Sequence, residues 1–479
     1  MRFVLPNLSN DCSTAGLIEF ISEPGGTTEF QLFLFSSSAM SLQLQPVTRV
    51  KDVDTFIRNT LLQRSELEDD SFTVVNLSEI QERFQEWQRE FPDVEPFFAL
   101  KAQHNANTLK LLADNGCGFD VASLGEMQSV ISADVPSSRI LYAQPYKQPS
   151  HLVFALERGI LSVCDTVDEI RKIGQYSAKL GCTPKILIRI LPDDKESDSQ
   201  SSLSTKFGAP LKTLNDLMRA ATDAHVTVVG ISFHIGSHCH SADPYLNTLR
   251  LSRVWWNRLV SDHGARLEVL DIGGGYPGER GDDFKRMARL IRLGIDEHYG
   301  DVRSNIRIIA EPGRYMVTSS LSVVANVIAE KGAGQFVLNT GVYGGLSYSM
   351  WDRKAARGSK PYLISAAKCN GVHHSDCVGA GNEKEDENGT EDRESGSSVV
   401  RSDEQEKMVF WGPTCDSSDR LIDGYHVPNV KRGDWIVFPD LGAYCSNIMT
   451  SFNGFPNPQM HFIYTNEHVE VIENLFSSQ

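Results

Sequence analysis

Between Pro96 and Arg314, short apolar runs rich in β-branched and aromatic residues alternate with longer amphipathic stretches. The runs are Phe97–Lys101, Gly118–Ser123, Ile140–Gln144, Leu161–Thr166, Ile186–Leu191, Val228–Gly236, Leu267–Gly275 and Ile306–Arg314. Several are almost continuously apolar, the pattern of strands covered on both faces. Asn105–Asn115, Leu124–Ala133, Val167–Leu180, Leu211–His225 and Pro244–Asp262 lie between them and carry helical spacing. This alternation predicts parallel βαβ units. Eight such units in about 220 residues point to a closed (β/α)8 barrel, for which about 250 residues is typical. A doubly wound open sheet is the alternative, but Gly273–Gly275 does not match GxGxxG and arrives late rather than at the first βα turn.

After about Lys331 the pattern changes. Gln335–Leu338, Pro361–Ser365, Lys407–Trp411, Asp434–Phe438 and His461–Tyr464 read as short strands without long helices between them, an all-β unit. Glu29–Phe35 and Leu42–Val50 are β-like and are expected to join that sheet. The expected division is an N-terminal segment at 1–71, the barrel at 72–325 and the β domain at 326–479. An insertion at about 374–407 interrupts the last unit. Within it, Asn382–Lys407 holds ten acids against four bases and almost no apolar residue, so it cannot bury enough surface to offset chain entropy and is expected to be disordered.

Composition narrows the function. Among 479 residues there are 62 acids and 46 Lys plus Arg, a net charge of −16, which argues against nucleic acid or an anionic membrane as partner. The nine cysteines form no CxxC pair, so neither a metal site nor a disulfide framework is expected, and a reducing compartment fits best. Met1–Cys12 lacks the basic and apolar regions of a signal peptide. The patch Phe30–Phe35 is far shorter than the ~20 residues a membrane span needs. A cytoplasmic protein is expected.

In a barrel of this class, functional groups gather at the C-terminal ends of the strands. Those ends carry Lys101, Asp120, Arg189, His234 with Ser237, Gly273–Gly275, and Glu311 with Arg314. Each has a bland reading: a snorkelling lysine, turn glycines, a Glu311–Arg314 ion pair, a satisfied core histidine. Each also has a sharper one. Lys101 could form a Schiff base. Gly273–Gly275 could let backbone N–H groups approach a phosphate, with Arg314 as a planar fork. Glu311 could hold a proton on a pyridine nitrogen, and His234 could stack on a flat ring. Together these describe pyridoxal 5′-phosphate, an electron sink for cleavage next to an amine carbon.

Seven motifs in order support this reading. FALK (Phe98–Lys101), GFDVAS (Gly118–Ser123), FHIGS (Phe233–Ser237), DIGGGYPG (Asp271–Gly278), AEPGRY (Ala310–Tyr315), WGPTCDSSD (Trp411–Asp419) and GAYCSNIMTSFNGF (Gly442–Phe455) resemble those of eukaryotic ornithine decarboxylases. These belong to the alanine-racemase-like, fold type III pyridoxal enzymes. The resemblance runs from about Phe72 to Phe455. It implies that Lys101 carries the cofactor, His234 stacks on it and Glu311 meets its ring nitrogen. Ser237, Gly273, Gly274, Gly275, Gly313, Arg314 and Tyr444 would hold or frame the phosphate, Asp120 would orient Lys101, and Arg189 would lie beside the cofactor. Cys415 would return a proton after carbon dioxide leaves. Asp416, with Trp351 and Asp352, would bind the distal ammonium of the substrate. Asp419 would pair with Lys206 across a homodimer whose sites are shared. The implied reaction is L-ornithine to putrescine, in polyamine biosynthesis.

Trp351 stands where the family usually has tyrosine, His238 where it commonly has glycine, and Gly344–Trp351 departs from its usual wording. A diverged decarboxylase of lysine or of a specialised amino acid is therefore an alternative. A racemase is a second, against which TCDSSD speaks. A third is a non-catalytic paralogue of the antizyme-inhibitor kind; it is disfavoured by the retention of Lys101, Glu311, Arg314 and Cys415. An antizyme-like regulatory protein is a further candidate partner.

Overall fold

The computed structural model describes the backbone of residues 14–21 and 29–36, and in full 42–193, 199, 203–332, 334–347, 360–364, 408–421, 427, 429–465 and 468–476. The acidic insertion, Trp351 and Asp352 lie outside the described residues. β1 (Thr14–Ile21) and β2 (Glu29–Ser36) pair antiparallel in a two-stranded sheet of their own. β3 (Val47–Arg49) and β4 (Phe72–Asn76) enter a larger sheet described below.

Eight parallel strands then close a barrel: β5 (Glu95–Ala99), β6 (Gly118–Val121), β7 (Ile140–Tyr142), β8 (Leu161–Cys164), β9 (Lys185–Arg189), β10 (Thr227–Ser232), β11 (Val269–Asp271) and β12 (Arg307–Ala310). Each falls within or against an apolar run expected to be a strand. The strands stop short of the runs, and the remaining residues form the loops that carry the chemistry. Barrel closure pairs β12 with β5, so no edge is left in this sheet. The lumen is filled by Phe97, Leu141, Val163, Leu187, Val229, Val269 and Ile309, one from each of seven strands. On β6 the small residue Gly118 makes room, since a Cβ there would lie 2.7 Å from the Phe97 ring.

Three of the barrel helices start at caps written just after strand ends. Asn105 Oδ1 accepts from the Thr108 N–H (2.8 Å), Ser123 Oγ from Glu126 (3.3 Å) and Thr166 Oγ1 from Glu169 (3.3 Å). Each satisfies an N–H that has no partner inside its helix. Among the described residues, no helix is long and apolar enough to cross a membrane.

The second sheet continues with β13 (Leu321–Gly332), β14 (Gln335–Leu338), β15 (Tyr362–Ile364), β16 (Val409–Trp411), β17 (Trp435–Phe438) and β18 (Gln459–Tyr464). Its order is β15-β17-β13-β4-β18-β3, with β14 bridging β13 and β16. Three expectations change here. β4, placed by its sequence position at the start of the barrel, lies between β13 and β18, because Phe72 and Val74 pack with Val324 and Ile463 of those strands. β13 begins at Leu321, inside the expected barrel. Of the two N-terminal stretches expected in this sheet, the second contributes β3 beside β18, whereas the first pairs with β1. The chain thus crosses from the second unit into the barrel and back, which brings loops of both to one end.

Candidate active site

β5 ends at Ala99, and a 3₁₀ turn (Leu100–Ala102) presents Lys101 at the barrel mouth. Lys101 Nζ donates to Asp120 Oδ2 at 2.6 Å, from the neighbouring strand β6. Enclosure disfavours the ammonium, but Asp120, Tyr444 and Glu311 outweigh it and hold the Lys101 pKa above its ordinary value. The turn is pinned by the 442–447 loop of the second unit. Asn447 Nδ2 donates to Lys101 O (3.0 Å), Gln103 Nε2 to Gly442 O (3.1 Å) and Tyr444 N–H to Ala102 O (2.8 Å).

His234 follows β10. Its Nδ1 accepts the Gly236 N–H at 3.0 Å, and burial with the Arg189 and Lys101 charges pushes its pKa well below the usual value. The ring is therefore a neutral, flat surface. It lies against the glycine triplet: a Cβ on Gly274 would fall 2.9 Å from His234 Nε2 and 2.4 Å from Glu311 O. At Gly273, where φ is +66°, a Cβ would fall 2.1 Å from Phe233 O. Only glycine fits either position.

Beneath these lie two buried acids. Asp271, fully buried, accepts from Ser232 Oγ at 2.7 Å and from the Gly273 N–H at 2.9 Å. Both bonds favour the anion, yet burial dominates and lifts its pKa to about 6. Glu311, also buried, is pushed up by burial and by Asp271 and Asp120, against Lys101 and Arg189. Two carboxyls this close cannot both ionise at low cost, so the pair retains a proton.

The rim completes the set. Arg314 Nε donates to Ser237 Oγ at 2.9 Å, and the guanidinium lies 4.8 Å from the Tyr444 ring centroid. Gly313 allows this approach, since a Cβ there would sit 3.2 Å from Ala102 Cβ and 3.4 Å from the Tyr444 hydroxyl. Arg189 is buried with its guanidinium 4.9 Å from the Phe207 ring centroid. The donor set suits pyridoxal phosphate: an amine for an aldehyde, an arginine–serine–glycine cradle for a phosphate, a flat imidazole, and a protonated carboxyl for a ring nitrogen.

Cys415 and Asp416 form a second cluster, facing solvent. The Cys415 N–H donates to Asn453 Oδ1 at 2.9 Å, and its side chain is exposed. The Tyr343 hydroxyl donates to Asp416 Oδ2 and holds that carboxylate below its usual range. Asp419, expected to pair with Lys206 across a dimer, is held within its own chain by the 410–419 loop and its neighbours. It is 1% exposed, and its carboxylate accepts from Val342 N–H (2.8 Å), Thr414 N–H (3.1 Å) and Thr414 Oγ1 (2.7 Å). These bonds shape the loop that carries Cys415 and Asp416; Lys206 Nζ lies 4.9 Å from the Phe207 ring centroid. Sequence reasoning also missed Asp271, Asn447 and Tyr343. Asp271 ends an apolar strand just before the glycine triplet and was open to the strand-end argument; Asn447 and Tyr343 act across long sequence separations and carried no local signal.

Residues 77–318 match the family described as pyridoxal-dependent decarboxylase, pyridoxal binding domain. The chain belongs to the pyridoxal-dependent decarboxylases. As a member of this family it is a carboxy-lyase using pyridoxal phosphate. An ornithine decarboxylase from Caenorhabditis elegans is 33% identical over 428 residues, covering 85% of this chain and 90% of that protein. One from Schizosaccharomyces pombe is 32% identical, covering 83% and 84%. An antizyme inhibitor 2 from Xenopus laevis is 31% identical, covering 83% and 82%. Among solved structures, the arginine decarboxylase of Paramecium bursaria Chlorella virus bound to agmatine superposes with a TM-score of 0.71 at 27% identity, covering 85% of this decarboxylase and all of that chain. Lysine decarboxylase from Selenomonas ruminantium gives 0.67 at 30% identity, covering 85% and 94%.

Proposed function

We propose that this decarboxylase converts L-ornithine to putrescine, with Lys101 as the residue that carries the cofactor. The observation that supports this most is the Lys101–Asp120 ion pair at the mouth of the barrel, set among Glu311, His234 and the Arg314–Ser237 clamp. When bound, pyridoxal phosphate supplies an aldehyde for amine capture and a ring that accepts the electron pair left by departing carbon dioxide. Asp120 orients the Lys101 amine and accepts its proton contact. Glu311, loaded with a proton by burial and by Asp271, is the group able to share that proton with a basic ring nitrogen. Arg314, Ser237, the Tyr444 hydroxyl and the Gly274 and Gly275 N–H groups would hold the phosphate; the Gly273 N–H is engaged with Asp271.

Cys415 would return the proton to the substrate carbon, and Asp416, with Trp351 and Asp352, would take the distal ammonium. Charge-assisted hydrogen bonds are worth about 1.5–3 kcal/mol each, enough to favour a diamino acid over an uncharged one. In one chain Cys415 is exposed, as are Phe452 (44%), Phe455 (38%) and Ile448 (38%) in the neighbouring segment. Apolar surface around a reactive group supports a homodimer in which the partner covers this loop. The named relatives support ornithine; the antizyme-inhibitor relative favours a binding role, but such a role would not need the Lys101–Asp120–Glu311 constellation. The test offers ornithine, lysine, arginine and diaminopimelate, with carbon dioxide and amine product measured for each. Ornithine should give the highest kcat/KM, and Lys101→Ala should abolish turnover with borohydride no longer labelling position 101. Preference for another amino acid overturns the substrate, and an active Lys101→Ala enzyme overturns the site.

A further inference from the structure

Two loops meet beside the Arg314–Ser237 clamp. One follows β10 and carries His238 and His240; the other follows β11 and carries Glu279, with the helix Asp283–Tyr299 starting just beyond it. His238 Nε2 is in direct hydrogen-bond contact with Glu279 Oε1. The His238 and His240 rings lie 4.6 Å apart, centroid to centroid, at 54°. One ligating atom from each of the three residues falls within 4.8 Å of the other two. Asp283 Oδ2 lies 3.9 Å from His240 Nδ1. His238 is buried while His240 is exposed and Glu279 partly open, so a small ion has a route in.

Two further observations point to a ligand. Glu279 Oε2 is buried and has no hydrogen-bond partner among the described residues, an uncommon state for a carboxylate oxygen. His238 is held at φ +61°, a conformation that glycine adopts freely and that costs other residues roughly 1–2 kcal/mol. A strained backbone that aims a buried histidine at a carboxylate is a feature of built sites.

Imidazole and carboxylate are ordinary zinc donors, with metal–ligand distances of about 2.0–2.2 Å that set tetrahedral donors about 3.3 Å apart. We propose that His238, His240 and Glu279 bind one zinc-class divalent cation per chain, with Asp283 or water as fourth donor. The ion ties the loop after Ser237 to the loop after Gly278. The site is independent of the substrate assignment, and it stands against the expectation of no metal, which rested on cysteine spacing.

The test strips the cofactor-loaded protein with a chelator, then titrates it with zinc chloride by calorimetry and with cobalt chloride by visible absorption. One equivalent of zinc should bind, raise the melting temperature, and give a tetrahedral cobalt spectrum without a thiolate charge-transfer band. His240→Ala, at an exposed position, and the near-isosteric Glu279→Gln should each weaken binding about tenfold or more, a loss of about 1.4 kcal/mol, while the stripped variants melt like the stripped parent. Three results overturn the site: no stoichiometric binding, unchanged affinity in both variants, or a thiolate band placing the ion at a cysteine.

Discussion

Replacing Asp271 by asparagine removes a buried titrating group at the heart of the site whose pKa lies near 6. Asparagine keeps an acceptor for the Gly273 N–H and a partner for Ser232 Oγ, so the hydrogen-bond frame survives. The aspartate pKa rises from 3.8 to about 6 on folding, because burial outweighs the anion-favouring bonds with Ser232, Gly273 and Glu311. A folded pKa above the unfolded one means that the native state binds the extra proton between those values. The stabilising contribution is complete below about pH 4 and is lost as pH climbs through about 6. A rise of about two units at about 1.4 kcal/mol each makes the loss about 3 kcal/mol. Urea unfolding of cofactor-free parent and Asp271→Asn protein at half-unit intervals from pH 4 to 8 tests this. The difference between the two should swing by about 3 kcal/mol in favour of the variant, with the midpoint between pH 4 and 6. A flat difference curve would refute the reasoning. A swing in the opposite direction would show that Ser232 and Gly273 outweigh burial.

Two other substitutions probe packing. Gly274→Ala sets a methyl group 2.4 Å from the Glu311 carbonyl, a backbone atom that cannot step aside, so a cost of about 1–3 kcal/mol and a marked loss of cofactor affinity are expected. Parent-like cofactor titration, followed by absorbance, would contradict the close-approach argument. Glu86→Ala leaves Arg83, whose guanidinium bonds Glu86 at 2.8 Å with 5% side-chain exposure, without its buried carboxylate, and it removes one of the two acceptors of the Tyr315 hydroxyl, at 2.9 Å. Denaturant unfolding should show a loss of about 3–5 kcal/mol, with Glu86→Gln milder; equal effects would mean that the charge is irrelevant.

The barrel was legible because each strand is a short apolar run and three of them are followed by a capping residue. Asn105, Ser123 and Thr166 mark helix starts whatever lies elsewhere in the chain. Lys101, Asp120, His234, Glu311 and Arg314 were legible for the same reason, since strand ends in a closed parallel barrel all face one way. The limits of the second unit were not. Phe72–Asn76 is as apolar as a barrel strand, and only pairing with β13 and β18 assigns it to the other sheet.

Sequence by itself determined the period of the elements, the order of the barrel strands and the kinds of side chain at their ends, because those depend on near neighbours. Tertiary structure alone decided which groups share a proton, as at Asp271 and Glu311, and that Asp419 serves its own loop. It also decided that two histidines and a glutamate some 40 residues apart face one another. Charge interactions fall off with distance through space and not along the chain, so side chains remote in sequence acquire a common chemistry only when the fold brings them within a few ångströms.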